Sequence, residues 1–153
     1  MTIWFDMDGT ISNLYDVADW LEMLIHEDPK PYLIANPIGN MSLLARLLNE
    51  LQRMGFQIGI ISWLAKNSTE NYAQKVTAAK LTWLKKHLPS VHWDIIHIVE
   101  YGRNKWETCG EGILFDDEAR NREQWNGKAF HPEMIFDILK ALKREKILLL
   151  RSY

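Results

Sequence analysis

Apolar positions along the chain follow two patterns, and their order predicts the fold class. Short, largely apolar runs predict strands at residues 2–6, 56–62, 95–99 and 112–115, and residues 128–130 are a candidate fifth strand. Apolar residues at helical spacing predict helices at residues 16–26, 42–54, 69–88 and 133–146. Because the strands alternate with helices, we expect an α/β protein with a doubly wound parallel sheet, covered by helices on both faces.

Capping residues set the expected limits of these helices. Ser42 is a suitable N-cap for the second helix, and Gly55 is its stop. Asn67 is expected to cap the third helix, and Pro132 to open the last one. The segment 28–39 contains three prolines and a glycine, so it is expected to form a loop.

Composition and charge narrow the class of protein. At 153 residues the chain is most simply one domain, and its net charge of -2 gives no strong nucleic-acid signal. The single cysteine, Cys109, excludes an internal disulfide and fits a reducing compartment. No secretory signal is visible, and no apolar run approaches the roughly 18–20 residues that span a bilayer. We therefore expect a cytoplasmic protein without a membrane partner.

Polar residues of the kinds used in phosphate chemistry lie at the ends of the predicted strands. They are Asp6 and Asp8 after the first, Ser62 on the second, and Asp116 with Asp117 after the fourth. Lys105 lies in the segment between the third and fourth strands. Ligands of a parallel sheet bind beyond the carboxyl ends of its strands, so we expect these side chains to converge. Crowded carboxylates need a cation or a proton among them, and Mg²⁺ prefers oxygen ligands. One carboxylate could attack phosphorus while a second moves the proton.

The same residues, in the same order, resemble the four motifs of the haloacid dehalogenase (HAD) superfamily. The motifs here are Asp6-Met7-Asp8-Gly9-Thr10, Ser62, Lys105 and Asp116-Asp117. The resemblance implies a Rossmann-like core and Mg²⁺-dependent hydrolysis of a phosphomonoester through an aspartyl-phosphate. It makes Asp6 the nucleophile and Asp8 the general acid and base.

The resemblance also assigns the remaining site residues. The phosphate of the substrate is expected to contact Ser62, Lys105, Gly9, Thr10 and Trp63. The metal is expected to bind Asp6, Asp8 (through its backbone carbonyl), Asp116 and Asp117. Lys80 is the rival of Lys105, but its place in an amphipathic helix predicts a solvated face. Asp117 could instead pair with Arg120 or Arg122.

A narrower similarity is to the 5′(3′)-deoxyribonucleotidases, and it concerns the substrate. It rests on the run 79–84, on Lys105 before Asp116, and on the opening Asp-Met-Asp-Gly. The similarity implies (deoxy)nucleoside monophosphate substrates and a small helical cap, here about residues 14–40. Ser62-Trp63 stands where that family usually has Thr-Ser-Pro, and the insertion is shorter. Trp63, like Tyr15 and Trp20, could form a wall against the base or sugar, or could pack in the core.

Two other functions fit parts of the pattern. A nucleic-acid 3′-phosphatase would use the same chemistry, but segment 14–40 is a poor surface for a polyanion, with five acidic residues against Lys30. A non-hydrolytic receiver-like phosphoaspartate module also combines acids, a hydroxyl and a lysine, but its acceptor Asp follows the third strand rather than the first. The apolar run 147–150 is expected either to pack on the core or to form a homodimer contact.

Overall fold

A five-stranded parallel sheet forms the centre of the computed structural model, which describes residues 1–152. The strands are β1 (Thr2–Phe5), β2 (Gln57–Trp63), β3 (Ile95–Val99), β4 (Ile113–Phe115) and β5 (Ala129–Phe130). Their order across the sheet is β3-β2-β1-β4-β5, and every neighbouring pair is parallel. All five predicted strands are confirmed, and β3 has the predicted limits.

Helices cover both faces of the sheet. They are α1 (Trp20–Ile25), α2 (Lys30–Ile34), α3 (Met41–Arg53), α4 (Glu70–His87), α5 (Lys105–Cys109), α6 (Ala119–Gln124) and α7 (Ile135–Arg151). Residues of α3, α4 and α7 pack in one cluster with Ile3 and Phe5, whereas Trp106 of α5 packs with Trp4 and Trp125 in another. Because adjacent strand residues point to opposite faces, this arrangement confirms the α/β fold class. No helix within residues 1–152 is long and apolar enough to cross a membrane.

Two of the predicted caps are wrong because a neighbouring side chain makes the capping hydrogen bond. α3 begins after Asn40 rather than at Ser42, since the Asn40 side chain accepts from a backbone N–H three residues on, at 3.0 Å. α4 begins after Thr69 rather than Asn67, and the Thr69 hydroxyl accepts in the same way at 3.2 Å. Both residues have the extended backbone that an N-cap requires.

Short helices account for most of the other differences. α2 lies inside the segment expected to be loop, because Pro31 occupies an early helix position where its missing N–H costs nothing. The sequence does not predict α5 and α6, because helices of 5 and 6 residues are too short to show a helical period of apolar residues. Within the helix expected over residues 16–26, the α-helix extends only over α1, Trp20–Ile25. The last helix follows a 3₁₀ turn at Pro132–Met134 and continues beyond the expected end to Arg151.

The strand order brings the residues after β1 next to those after β4. β1 lies between β2 and β4, and Phe5 is in register with Phe115 and with Ile60. The backbone N–H of Asp6 donates to the Phe115 carbonyl at 2.9 Å, which extends this pairing by one residue. The segments that begin at Asp6 and Asp116 therefore leave the sheet side by side.

Gly112 is required where the chain enters β4, and its substitution tests this packing. Its φ is +96°, and an added Cβ would lie 2.2 Å from the Thr2 carbonyl oxygen. Gly55 has a φ of +99° with no atom within 4 Å of the same position. We expect Gly112→Ala to lower the free energy of unfolding by at least about 2 kcal/mol more than Gly55→Ala, because only it adds a backbone clash. Urea denaturation measures both variants, and equal losses would contradict the close approach.

Candidate active site

The turn after β1 depends on a glycine that makes room for a carboxylate of the neighbouring strand. Asp6 directly follows β1, and the chain then turns at Gly9, where φ is +81°. A Cβ at Gly9 would lie 2.3 Å from Asp117 Oδ2. Only glycine allows both this backbone conformation and this approach. Gly9, which the sequence assigned to phosphate binding, thus gives Asp117 its place beside the turn.

Three carboxylates meet at this edge of the sheet. Asp6, Asp116 and Asp117 each offer an oxygen, and these oxygens lie within 4.8 Å of one another. Asp116 is fully buried and Asp6 nearly so. Burial, followed by the charge of Asp6, raises the pKa of Asp116 and of Asp117 above the usual range. The cluster therefore favours a proton or a cation, and its oxygen donors suit a hard divalent cation.

Lys105 lies against two of these carboxylates. It is the first residue of α5 and is 2% exposed. Its Nζ donates to Asp6 Oδ1 at 2.9 Å and to Asp116 Oδ2 at 2.6 Å. Burial alone would lower the pKa of Lys105, but the attraction of the two carboxylates outweighs burial and raises it. Lys105 is therefore a charged member of the cluster.

Lys80 is a second buried lysine, and the prediction that it faces solvent is wrong. It is 1% exposed. Its Nζ donates to Asp8 Oδ2 at 2.8 Å, to Ser62 Oγ at 2.6 Å and to the Trp63 carbonyl at 2.7 Å. Lys80 thus joins the end of β2 to the turn after β1.

The buried face of α4 explains the position of Lys80. Val76, four residues before Lys80, and Trp83, three residues after it, are both buried. Residues three and four apart lie on one face of a helix, so Lys80 belongs to the apolar stripe. This spacing is the sequence signal that could have placed Lys80 inside the protein.

The Asp8 carboxylate has a different partner from the other three. It pairs with Lys80 and is not among the carboxylates that converge. Burial raises the pKa of Asp8 against the opposing attraction of Lys80. The structure thus brings together Asp6, Asp116 and Asp117 of the predicted metal ligands. A metal contact through the Asp8 backbone carbonyl stays a prediction.

Thr10, which the sequence assigned to phosphate binding, is engaged with the acidic cluster. Its hydroxyl lies 3.0 Å from Asp6 Oδ2 and 3.2 Å from Asp117 Oδ1. The same oxygen accepts from the backbone N–H of Asp117 at 3.2 Å. Thr10 is 1% exposed, so it holds the Asp6 and Asp117 carboxylates from the interior of the protein.

Asn121 and Arg122 of α6 support Asp116, and the sequence reasoning missed Asn121. Asn121 Nδ2 donates to Asp116 Oδ2 at 3.0 Å. Arg122 donates to the backbone carbonyls of Asp116 and Asp117, at 3.0 and 2.9 Å, rather than to the Asp117 carboxylate. The guanidinium of Arg120 lies 5.0 Å from the ring centre of Trp63. A six-residue helix left no periodicity that could have indicated these contacts.

A cavity of about 330 Å³ opens above the carboxylates. Aliphatic and aromatic side chains line its walls, and the aromatic ones are Tyr15, Trp20, Tyr32, Trp63 and Tyr101. The Trp63 ring lies 5.0 Å from the Tyr101 ring, and its indole N–H donates to the Arg103 carbonyl at 2.9 Å. Trp63 is only 8% exposed, so it both packs in the protein and forms a wall.

The segment 14–40 lies over this cavity. It contributes Tyr15, Trp20 and Tyr32 to the walls, and Tyr15 meets Trp20 edge to face at 5.0 Å. Tyr32 also packs with Tyr72 of α4 in a separate apolar cluster. The segment is thus anchored on α4 while its aromatic rings line the space above the carboxylates.

Comparison with known proteins adds no assignment. No model of a known protein family matches the chain, and a search of curated proteins found no match. Function is therefore inferred from the contacts and charges of the site itself.

Substitution of Lys80 tests whether its contacts hold the site together. We expect Lys80→Met to lower the free energy of unfolding by about 3 kcal/mol, because Asp8 and Ser62 lose their buried partner. Lys85→Met, at an exposed position of the same helix, is the matched control and should change it by less than about 0.5 kcal/mol. Urea denaturation at neutral pH measures both. A loss for Lys80→Met no larger than that of the control would contradict the assigned contacts.

Proposed function

We propose that the chain is a HAD-type phosphomonoester hydrolase that uses Mg²⁺ and an aspartyl-phosphate intermediate. The observation that carries this proposal is the convergence of Asp6, Asp116 and Asp117 on the floor of a cavity, with oxygens within 4.8 Å of one another. A further acid, Asp8, lines the same cavity with its own lysine partner. Metal-assisted transfer of a phosphoryl group needs this combination of carboxylates and cations.

The formal charges of the site leave a negative excess that a cation would offset. Four aspartates line the cavity, and two buried lysines pair with three of them. These groups have a formal charge of -2 when all are ionised, and of -1 when Asp8 holds the proton of a general acid. Asp6, Asp116 and Asp117 would hold Mg²⁺, which when bound would offset the negative charge of the phosphoryl oxygens.

Asp6 would attack phosphorus. Its Oδ1 accepts from Lys105 and its Oδ2 from Thr10, so the carboxylate has one orientation at the cavity floor. In the first step an Asp6 oxygen bonds to phosphorus as the bond from phosphorus to the ester oxygen breaks. In the second step a water oxygen bonds to phosphorus, the bond to Asp6 breaks, and inorganic phosphate leaves.

Asp8 would move the protons in both steps. Burial raises its pKa, which favours the protonated form that a general acid needs. Asp8 would give its proton to the leaving alcohol oxygen and then take a proton from the attacking water. Lys80 holds Asp8 and Ser62 in a fixed relation, and Ser62 with Lys105 would bind the phosphoryl oxygens.

We further propose that residues 14–40 form a cap that selects a nucleoside monophosphate. Tyr15, Trp20 and Tyr32 of this segment line the same cavity as the carboxylates. Flat aromatic walls favour a substrate that carries a flat ring, as a nucleobase does. The five acidic residues of the segment, against one lysine, would repel the many phosphates of a nucleic-acid chain. A single nucleotide is therefore favoured over a nucleic-acid end.

Replacement of the nucleophile tests the reaction. With Mg²⁺, we expect the unmodified chain to hydrolyse an aryl phosphate and nucleoside monophosphates, and a chelator to abolish turnover. Asp6→Asn should lower kcat by at least about a thousandfold, because the amide cannot form the acyl phosphate. Asp137→Asn, at an exposed position of α7, is the matched control and should leave kcat unchanged. Release of inorganic phosphate measures all four conditions.

Two outcomes would contradict the proposed reaction. Absence of turnover on every phosphomonoester in the presence of Mg²⁺ would exclude a hydrolase. Turnover that survives in Asp6→Asn would exclude Asp6 as the nucleophile. Faster hydrolysis of a 3′-phosphorylated oligonucleotide than of any nucleoside monophosphate would instead assign the site to nucleic-acid ends.

The aromatic walls give a separate test of the substrate class. Tyr101→Ala removes one ring from the cavity and should raise KM for nucleoside monophosphates by about fivefold. The same variant should leave KM for a small alkyl phosphate unchanged, since that substrate has no ring to stack. Steady-state kinetics on the two substrates measures the difference. Equal increases in KM would show that Tyr101 supports the site without contacting a base.

A further inference from the structure

The last turns of α7 expose an unbroken apolar run. Leu148, Leu149 and Leu150 are 63%, 59% and 62% exposed, and Ile147 precedes them. Consecutive residues of an α-helix point about 100° apart, so four in a row cover most of its circumference. A groove on another protein contacts one side of a helix, whereas acyl chains surround the end of a helix that enters among them. The run therefore fits an apolar medium better than a single groove.

Basic residues surround this apolar run. Lys146 precedes it and Arg151 follows it on α7. The groove between α3 and α7 is lined by Ile147, by one acidic residue, Glu50, and by four basic residues, Arg46, Lys140, Lys143 and Arg144. Five basic and two acidic residues give α7 a formal charge of +3, in a chain whose net charge is -2. The positive charge of the molecule is thus concentrated beside its exposed leucines.

We propose that this end of α7, together with the basic groove, binds the surface of a membrane that contains anionic lipid. The leucines enter among the acyl chains, and the lysine and arginine side chains contact the headgroups. A second copy of the chain is a poorer partner, because it would bring together two helices of charge +3. The expectation of no membrane partner rested on spanning runs, which do not bear on a surface contact.

The proposed surface lies away from the cavity. The start of α7 is close to the cap segment, since a Cβ at Gly39 would lie 3.3 Å from the Phe136 ring. Further along, Lys143 pairs with Glu50 near the end of α3 at 2.5 Å, and α7 then continues to Arg151. A bound molecule would therefore present the cavity to solvent, and the proposal does not depend on the proposed function.

Vesicle sedimentation of the full chain tests the proposal. We expect binding to vesicles of phosphatidylcholine and phosphatidylserine to be at least about tenfold tighter than to phosphatidylcholine alone. Leu149→Gln/Leu150→Gln should lose at least about tenfold of this binding. Ile25→Gln/Ile34→Gln is the matched control, because those side chains are 70% and 50% exposed but belong to the acidic cap segment. The control should bind as the unmodified chain does.

A charge variant gives an independent measurement. Lys146→Glu/Arg151→Glu keeps the leucines and should lose at least about tenfold of the binding to mixed vesicles. Equal binding to both kinds of vesicle, or equal losses in the two glutamine variants, would overturn the proposal. Failure to bind either kind of vesicle would also overturn the proposal. If the unmodified chain then forms a dimer and Leu149→Gln/Leu150→Gln does not, the surface belongs to a contact with a second copy. Because both substituted leucines are exposed, we expect the variant to unfold at the same temperature as the unmodified chain. An unchanged unfolding temperature then shows that the variant lost binding without losing its fold.

Discussion

Repulsion among crowded aspartates is the constraint on which the rest of the site depends. Parallel pairing of β1 with β4 places Asp6 beside Asp116, and Gly9 admits Asp117 to the same space. Such a cluster would destabilise the fold unless positive charge lay within it. The chain supplies that charge from Lys105, yet burial and the charge of Asp6 still raise the pKa of Asp116 and of Asp117.

The two buried lysines divide the site into two parts with different chemistry. Lys105 contacts Asp6 and Asp116, whereas Lys80 contacts Asp8 and Ser62. This division explains how two aspartates separated by one residue could have different tasks. One carboxylate belongs to the cluster that would hold the metal, and the other has a raised pKa and a separate partner. Acid and nucleophile would thus differ by their surroundings rather than by residue type.

The strands and their polar ends could be predicted from the sequence because short apolar runs between helical segments are typical of buried strands. Convergence of Asp6 with Asp116 then followed from the rule that parallel strands share a ligand-binding edge. The amphipathic pattern of α4 predicts a solvated Lys80, but the spacing to Val76 and Trp83 puts it on the buried face. The supporting contacts of α6 depend on tertiary packing of a single short helix, and no local pattern carries that information.

A covalent bond between Asp6 and phosphorus distinguishes the proposed reaction from direct hydrolysis, and chemical trapping can detect it. The protein is mixed with Mg²⁺ and a nucleoside monophosphate, quenched during turnover, and reduced with borohydride, which converts an acyl phosphate of aspartate to homoserine. Mass spectrometry of the digested chain then locates the change. We expect homoserine at position 6 only when substrate is present. Homoserine at another aspartate, or none at any aspartate while substrate is consumed, would contradict it.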